Sequence, residues 1–363
     1  MQGNDRITWI DGWKGVLIFL VVLGHVVGGA FHASSGAARA TLGFLYRAIY
    51  IFHMPAFFMV AGYLWREHHG PYMHEIIRKA KRLIMPYFLW GFFSAVIFVI
   101  LSSWMSPVVL GDDGYYGKRM LDFPWWRPFL SIIHAGDWPR GEGFRCNSVL
   151  WFLPCMFVVL VVYGSFQRLV LKISRSLIID ILLFVVCVIL GAVMRFYVPK
   201  YLPWGINRVP YLMSFFILGR ICHDTGVMER CRTKGLWGMV GFIIYFLGVL
   251  GYRDLSLGYV TWGWYFYSFV ISVGGCVLSF YIAKLMPENL CKMVGALGVA
   301  SLGIMLVHKF LIMPVHPFYK MIVSHGASTA VFLIGAISVT ITLLAFGIAL
   351  IIKKISPWMI GEK

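Results

Sequence analysis

The stretch Trp9-Ile-Asp-Gly-Trp-Lys-Gly-Val-Leu-Ile-Phe-Leu-Val-Val-Leu-Gly-His25, continuing through Val26-Val-Gly-Gly-Ala-Phe31, decides the fold. A run this long and this apolar matches the ~20 residues that carry a helix across the hydrocarbon core of a bilayer. It nevertheless contains Asp11, Lys14 and His25. At about 100° per residue, the steps from Lys14 to His25 leave the two side chains about 20° apart, and Asp11 lies about 60° from Lys14. One face of the helix is therefore polar, and its deepest group is an imidazole, which titrates near neutral pH. Ionisable groups inside a membrane are costly and mark function by default. His25 reads either as a histidine hydrogen-bonded to a neighbouring helix or as a general base, and the shared face favours the second. Lys14 reads as an inner-interface anchor or as a contact for a negative ligand. Asp11 reads as a cap for the helix start or as the partner of Lys14.

The rest of the chain agrees with a membrane setting. Of 363 residues, 60% are hydrophobic and only 13% charged, with a mean hydropathy of +0.79. A soluble domain carries about 25% charged residues. The expected fold is an all-α integral membrane protein of about ten transmembrane helices, near 9–31, 43–64, 83–103, 149–166, 177–197, 207–222, 235–252, 260–283, 295–315 and 327–352. The chain reads as one polytopic domain over 1–363, with a long external loop at about 104–148. Most Lys and Arg then fall on one side, which predicts an N-in/C-in orientation and accounts for most of the net charge of +17. These residues sit at helix ends rather than in a soluble basic domain, so nucleic acid is not an expected partner. The opening Met1–Arg6 is not clearly basic, and no cleavable leader is expected. The seven Cys show no C-x-x-C and lie mostly in apolar stretches, so neither a disulfide framework nor a metal site is expected.

Further motifs carry chemistry. Arg78-Lys-Ala-Lys-Arg-Leu-Ile-Met-Pro-Tyr87 places Arg78, Lys79, Lys81 and Arg82 at the inner mouth of the third span. Such a cluster serves as a topology anchor or as a phosphate site. Arg78 and Arg82 share a helix face, as do Lys79 and Arg82, and guanidinium forks suit phosphate oxygens. In Tyr50-Ile-Phe-His-Met-Pro-Ala-Phe-Phe58, Pro55 predicts a kinked helix with a freed carbonyl. His53 either satisfies that backbone or is a second histidine of the site. Trp151 in Leu150-Trp-Phe-Leu-Pro154 reads most simply as an interfacial belt residue. His308, deep in the ninth span, is expected to face protein or water rather than lipid. Asn207 and Arg208 open the sixth span and suit a polar ligand or the interface. The external loop sets Trp104, Tyr115, Tyr116, Trp125, Trp126 and Trp138 among Asp112, Asp113, Asp122, Asp137 and Glu142, a composition shared by sugar-binding and ordinary interfacial loops.

Taken in order, these pieces resemble the acyltransferase 3 family of integral membrane acyltransferases. The matching elements are Trp9-Ile-Asp11 with Lys14-Gly15, Gly24-His25, Phe52-His-Met-Pro-Ala-Phe-Phe58 with Gly62, and Lys79-Ala-Lys-Arg-Leu83 with Pro86-Tyr87. Leu150-Trp-Phe-Leu-Pro154, Phe215 to Gly219 and Gly298 to His308 complete a series that covers about residues 5–350. Within the family the chain looks most similar to members that acetylate sugars, grouped as fucose O-acetylase-like proteins. The resemblance implies transfer of an acyl group, usually acetyl from cytoplasmic acetyl-CoA, to a hydroxyl of a cell-envelope glycan or a lipid-linked sugar. It also implies a bacterial plasma membrane location. The family's essential histidine maps onto His25. The Arg that often precedes it is Lys14 here, so the cation is kept and the bidentate fork lost. The family's R-x-x-R pair lands on Lys79 and Arg82, with Arg78 beside it.

The mechanism this reading predicts holds the CoA phosphates on Arg78, Lys79, Lys81 and Arg82 and brings the thioester between the first and third helices toward His25. Lys14 and His25 are about 16 Å apart along the helix, of the order of an extended pantetheine arm. His25 acts as general base, with Lys14 and Asp11 on its face and with His53, Trp151, Arg208 and His308 toward the substrate; an acyl-histidine intermediate is the variant. A polytopic transporter or flippase for an anionic or glycan substrate is the competing class. Transporters often show inverted repeats, and the sequence shows none.

Overall fold

The structure, a computed structural model, describes residues 8–66, 70–104, 126–135, 147–170, 177–198, 202–227, 235–251 and 261–362. The described residues form helices and their connections, with no strand among them. In chain order the helices are α1 (Thr8–His32), α2 (Gly36–Tyr63), α3 (Tyr72–Trp104), the short α4 (Arg127–His134), α5 (Phe152–Val170), α6 (Leu177–Tyr197) and α7 (Val209–Thr225). There follow α8 (Leu236–Gly251), α9 (Trp262–Leu285), α10 (Glu288–Val299), α11 (Ser301–Ile312), α12 (Tyr319–Ser324) and α13 (Ala327–Ile355). Among the described residues, seven helical segments are long and apolar enough to cross a membrane: Thr8–Ala33, Gly36–Tyr63, Val149–Leu169, Leu177–Tyr197, Trp262–Leu285, Ser301–Ser324 and Ala327–Ile355. Apolar α8 is shorter, at 16 residues, as is the mostly buried α7, at 17. The all-α membrane class therefore stands. Most of the aromatic and acidic residues noted in the external loop lie outside the described residues, Trp104 and Trp126 excepted.

Helix α1 is the axis of the bundle. It packs against α2, α9, α10, α11 and α13, while α2 also packs on α7 and α9. Trp13 is fully buried and donates its indole N–H to Ser279 Oγ on α9 at 2.9 Å, so a bulky polar-tipped ring is satisfied inside the core. Glycine sets the closest approaches. A Cβ on Gly15 would strike the Val294 carbonyl, and one on Gly298 would strike the Asp11 carbonyl, so α1 and α10 cross backbone against backbone. Gly62 and Gly219 do the same where α2 crosses α7. Small residues at helix crossings are the usual means of tight packing in a bilayer, where lipid tails remove the hydrophobic drive between helices.

Two departures from the sequence reading have physical causes. The ninth span, expected to be one helix over 295–315, is broken at Ala300 (φ −85°, ψ 8°) into α10 and α11, just beyond the Gly298 crossing. Pro55 does free a carbonyl in α2, that of Ile51, but Ser272 Oγ of α9 donates to it at 2.6 Å. His53 is not needed there; its Nδ1 lies 2.7 Å from the Ile49 carbonyl instead.

Candidate functional site

Three histidines gather where α1, α2 and α11 meet. His25 Nδ1 lies 2.9 Å from the hydroxyl of Tyr50. The His308 ring centre is 5.4 Å from that of His25, tilted by 36°. Tyr50 meets the His53 ring edge-on at 5.0 Å and lies 4.2 Å from Tyr46. His25 and Tyr50 are half-buried, whereas His53 and His308 are buried. The tautomers of the two buried rings follow from their partners. A carbonyl can only accept, so His53 Nδ1–H donates to Ile49 and His308 Nδ1–H donates to Ile304 at 3.0 Å. In the neutral ring each Nε2 then carries a lone pair. A phenol can donate or accept, so the Tyr50 contact fits either tautomer of His25. Such a pairing suits a group that must gain and lose a proton. The structure thus brings His25, His53 and His308, each a candidate from sequence, into one neighbourhood.

On the N-terminal half of α1, Lys14 Nζ pairs with Asp11 Oδ1 at 2.7 Å, one of the two roles read for Asp11. The basic cluster of α3 divides. Lys79 Nζ lies 2.5 Å from Glu75 Oε1, and its ammonium stands 3.9 Å from the centre of the Trp65 ring. Glu75 is buried at 6% exposure and is shared with Arg168 at 3.5 Å. Trp65 donates to Gln167 at 2.8 Å, while Arg220 donates to the Trp65 carbonyl at 2.8 Å and pairs with Asp224 at 2.9 Å. Lys79 is thus an internal cation of a clamp joining α3, α5 and α7. Arg78, Lys81 and Arg82 are exposed. Helix α3 packs mainly against α5, α4 and the C-terminal turn Pro357–Ile360.

Over residues 7–352 the sequence matches the family described as an acyltransferase domain. The chain belongs to the acyltransferase 3 family. Two curated relatives are nodulation proteins NolL. The chain is 31% identical to that of Mesorhizobium japonicum over 136 residues, 36% of this chain and 35% of the relative. It is 33% identical to that of Sinorhizobium fredii over 89 residues, 24% of each. The matched stretches thus span about a third and a quarter of the length of those relatives. No solved structure matches.

In this acyltransferase 3 chain the remaining expected residues form a second place. The Arg208 guanidinium stacks over the Trp151 ring at 4.8 Å, joining the start of α7 to the turn Ser148–Trp151 before α5. The same turn is tied to the histidine site, because Asn147 Nδ2 donates to the Leu306 carbonyl of α11 at 3.2 Å. Three residues of the site were missed from sequence. Tyr50 stands three positions before His53, a one-turn spacing that could have flagged it. Lys309 follows His308 and lies within electrostatic reach of both His25 and His308. Asn147 gave no local signal, since its role depends on a contact 159 residues away.

Proposed function

We propose that this chain is a membrane O-acyltransferase. It moves acetyl or another short acyl group from cytoplasmic acyl-CoA to a hydroxyl of a cell-envelope glycan or lipid-linked sugar, with His25 as general base. The reading includes about ten spans, both termini inside, and a bacterial plasma membrane location. The observation that carries it is the His25–Tyr50 pair beside two further imidazoles, inside a chain of acyltransferase family membership. As the acceptor oxygen bonds to the acyl carbon, its proton passes to His25. The C–S bond breaks, and that proton ends on the CoA sulfur. Tyr50 holds the imidazole in place through Nδ1.

The donor's phosphates fall to the exposed Arg78, Lys81 and Arg82, while Lys79 is engaged by Glu75 of its own helix and by the Trp65 ring. Exposed guanidinium groups keep the fork that phosphate oxygens require. Lys14, half-buried beside Asp11 on the same face of α1 as His25, marks the route between that mouth and the imidazole.

The test is binding and slow hydrolysis of acetyl-CoA by the purified full chain in detergent. Arg82→Ala should weaken binding, and His25→Ala should bind acetyl-CoA yet lose turnover. Failure of the wild type to bind acetyl-CoA up to millimolar concentration would overturn the donor assignment and shift the reading to transport.

A further inference from the structure

His308 is fully buried, and its Nε2 has no hydrogen-bond partner among the described residues. Because Nδ1–H is committed to the Ile304 carbonyl, that Nε2 is an acceptor. Asn147 is 8% exposed, and its amide nitrogen is committed to the Leu306 carbonyl, so its Oδ1 is also a buried acceptor without a described partner. Both groups are held by α11, and His308 faces the ring of His25 at 5.4 Å. Buried polar atoms in folded proteins are rarely left unmatched, and each exception needs an explanation. Two acceptors require donors. A ligand presenting only acceptor oxygens, such as a carboxylate, meets neither, whereas a polyol meets both. The separation of the two imidazoles is short enough for one ligand touching His25 to meet His308 as well.

Resting on the acyl-transfer reading, we propose that His308 is a specificity-determining residue of the transfer site, whose Nε2 accepts a hydrogen bond from the hydroxyl next to the one acylated. The site thereby selects vicinal diols over simple alcohols. The proton of the reacting hydroxyl still goes to His25; His308 neither gains nor loses one. Asn147 Oδ1 offers a further acceptor on the same wall.

The experiment supplies radiolabelled acetyl-CoA to the purified full chain, with cyclohexanol and cis-1,2-cyclohexanediol as alternative acceptors. The readout is the ratio of kcat/KM for the two. The wild type should favour the diol about tenfold or more, since a site built to bond a hydroxyl discriminates against the analogue lacking it. H308A should bring the ratio close to one, mainly through the KM of the diol. H308Q, whose amide oxygen can stand where Nε2 stood, should keep most of the preference. Thermal unfolding of each variant confirms equal folded protein. Equal use of both alcohols by the wild type, or a loss in H308A that is the same for both, overturns the inference. So does a wild type that hydrolyses acetyl-CoA through His25 but acylates neither alcohol, an outcome that leaves the donor reading standing. Absence of any His25-dependent turnover overturns the acyl-transfer reading and this inference with it.

Discussion

At the scale of single residues, the site is organised by which nitrogen of each histidine is already engaged. His53 and His308 each spend Nδ1 on the carbonyl four residues earlier in their own helix, while His25 reaches across to Tyr50 on α2. Tyr50→Phe should therefore leave the protein folded and lower His25-dependent turnover by roughly 10- to 100-fold. That range corresponds to about 1–3 kcal/mol for a hydrogen bond lost at a reacting group. It is measured as turnover per folded molecule, with Tyr50→His as a variant that keeps a polar partner. Ser272→Ala removes the donor that serves the carbonyl freed by Pro55. It should cost roughly 1–3 kcal/mol of stability, read as a lower thermal midpoint in detergent with turnover per folded molecule retained. His25 was legible in the sequence because an imidazole eleven residues from a lysine lies on the same helix face. The partner of the Ile51 carbonyl was not legible, because Ser272 lies 221 residues away and nothing local marks it.

At the scale of helices, hydrophobic runs showed where the elements lie, and glycine contacts show how they cross. The fifth span was expected at 177–197, where α6 runs Leu177–Tyr197, because charged and polar segments flank its apolar run. The break at Ala300 was hidden, since the run 295–315 is apolar on both sides of it and the interruption is set by α10 crossing α1. Gly62 was visible as part of a motif, but the Phe216 carbonyl it lies against was not. Gly62→Ala and Gly219→Ala should each force α2 and α7 apart. The cost is roughly 1–3 kcal/mol by overpacking, seen as a lower thermal midpoint and less monodisperse protein. A stability unchanged in both variants would contradict the backbone-to-backbone crossing.

At the scale of the whole molecule, the cations of α3 have separate duties. Lys79 belongs to a clamp of Glu75, Arg168, Trp65 and Arg220, whereas Arg78, Lys81 and Arg82 remain exposed. Spacing along α3 placed all four at one mouth but could not tell an internally paired cation from a free-facing one, because Glu75 and Lys79 share a face as readily as Arg78 and Arg82 do. Lys79→Met should lower stability by roughly 1–3 kcal/mol as Glu75 loses one partner and leave most of the acetyl-CoA affinity. Arg82→Ala should do the reverse, weakening affinity and flattening its dependence on salt.

His25, at the heart of the bundle, is the residue on which the proposed acyl transfer turns. The most direct measurement is the rate at which acetyl-CoA loses its acetyl group to water or an alcohol on purified wild-type protein, beside His25→Ala at matched thermal stability and matched acetyl-CoA occupancy. The expected result is turnover by the wild type and less than a few per cent of it in the variant. Turnover in His25→Ala close to the wild-type rate would overturn the assignment of His25 as the general base.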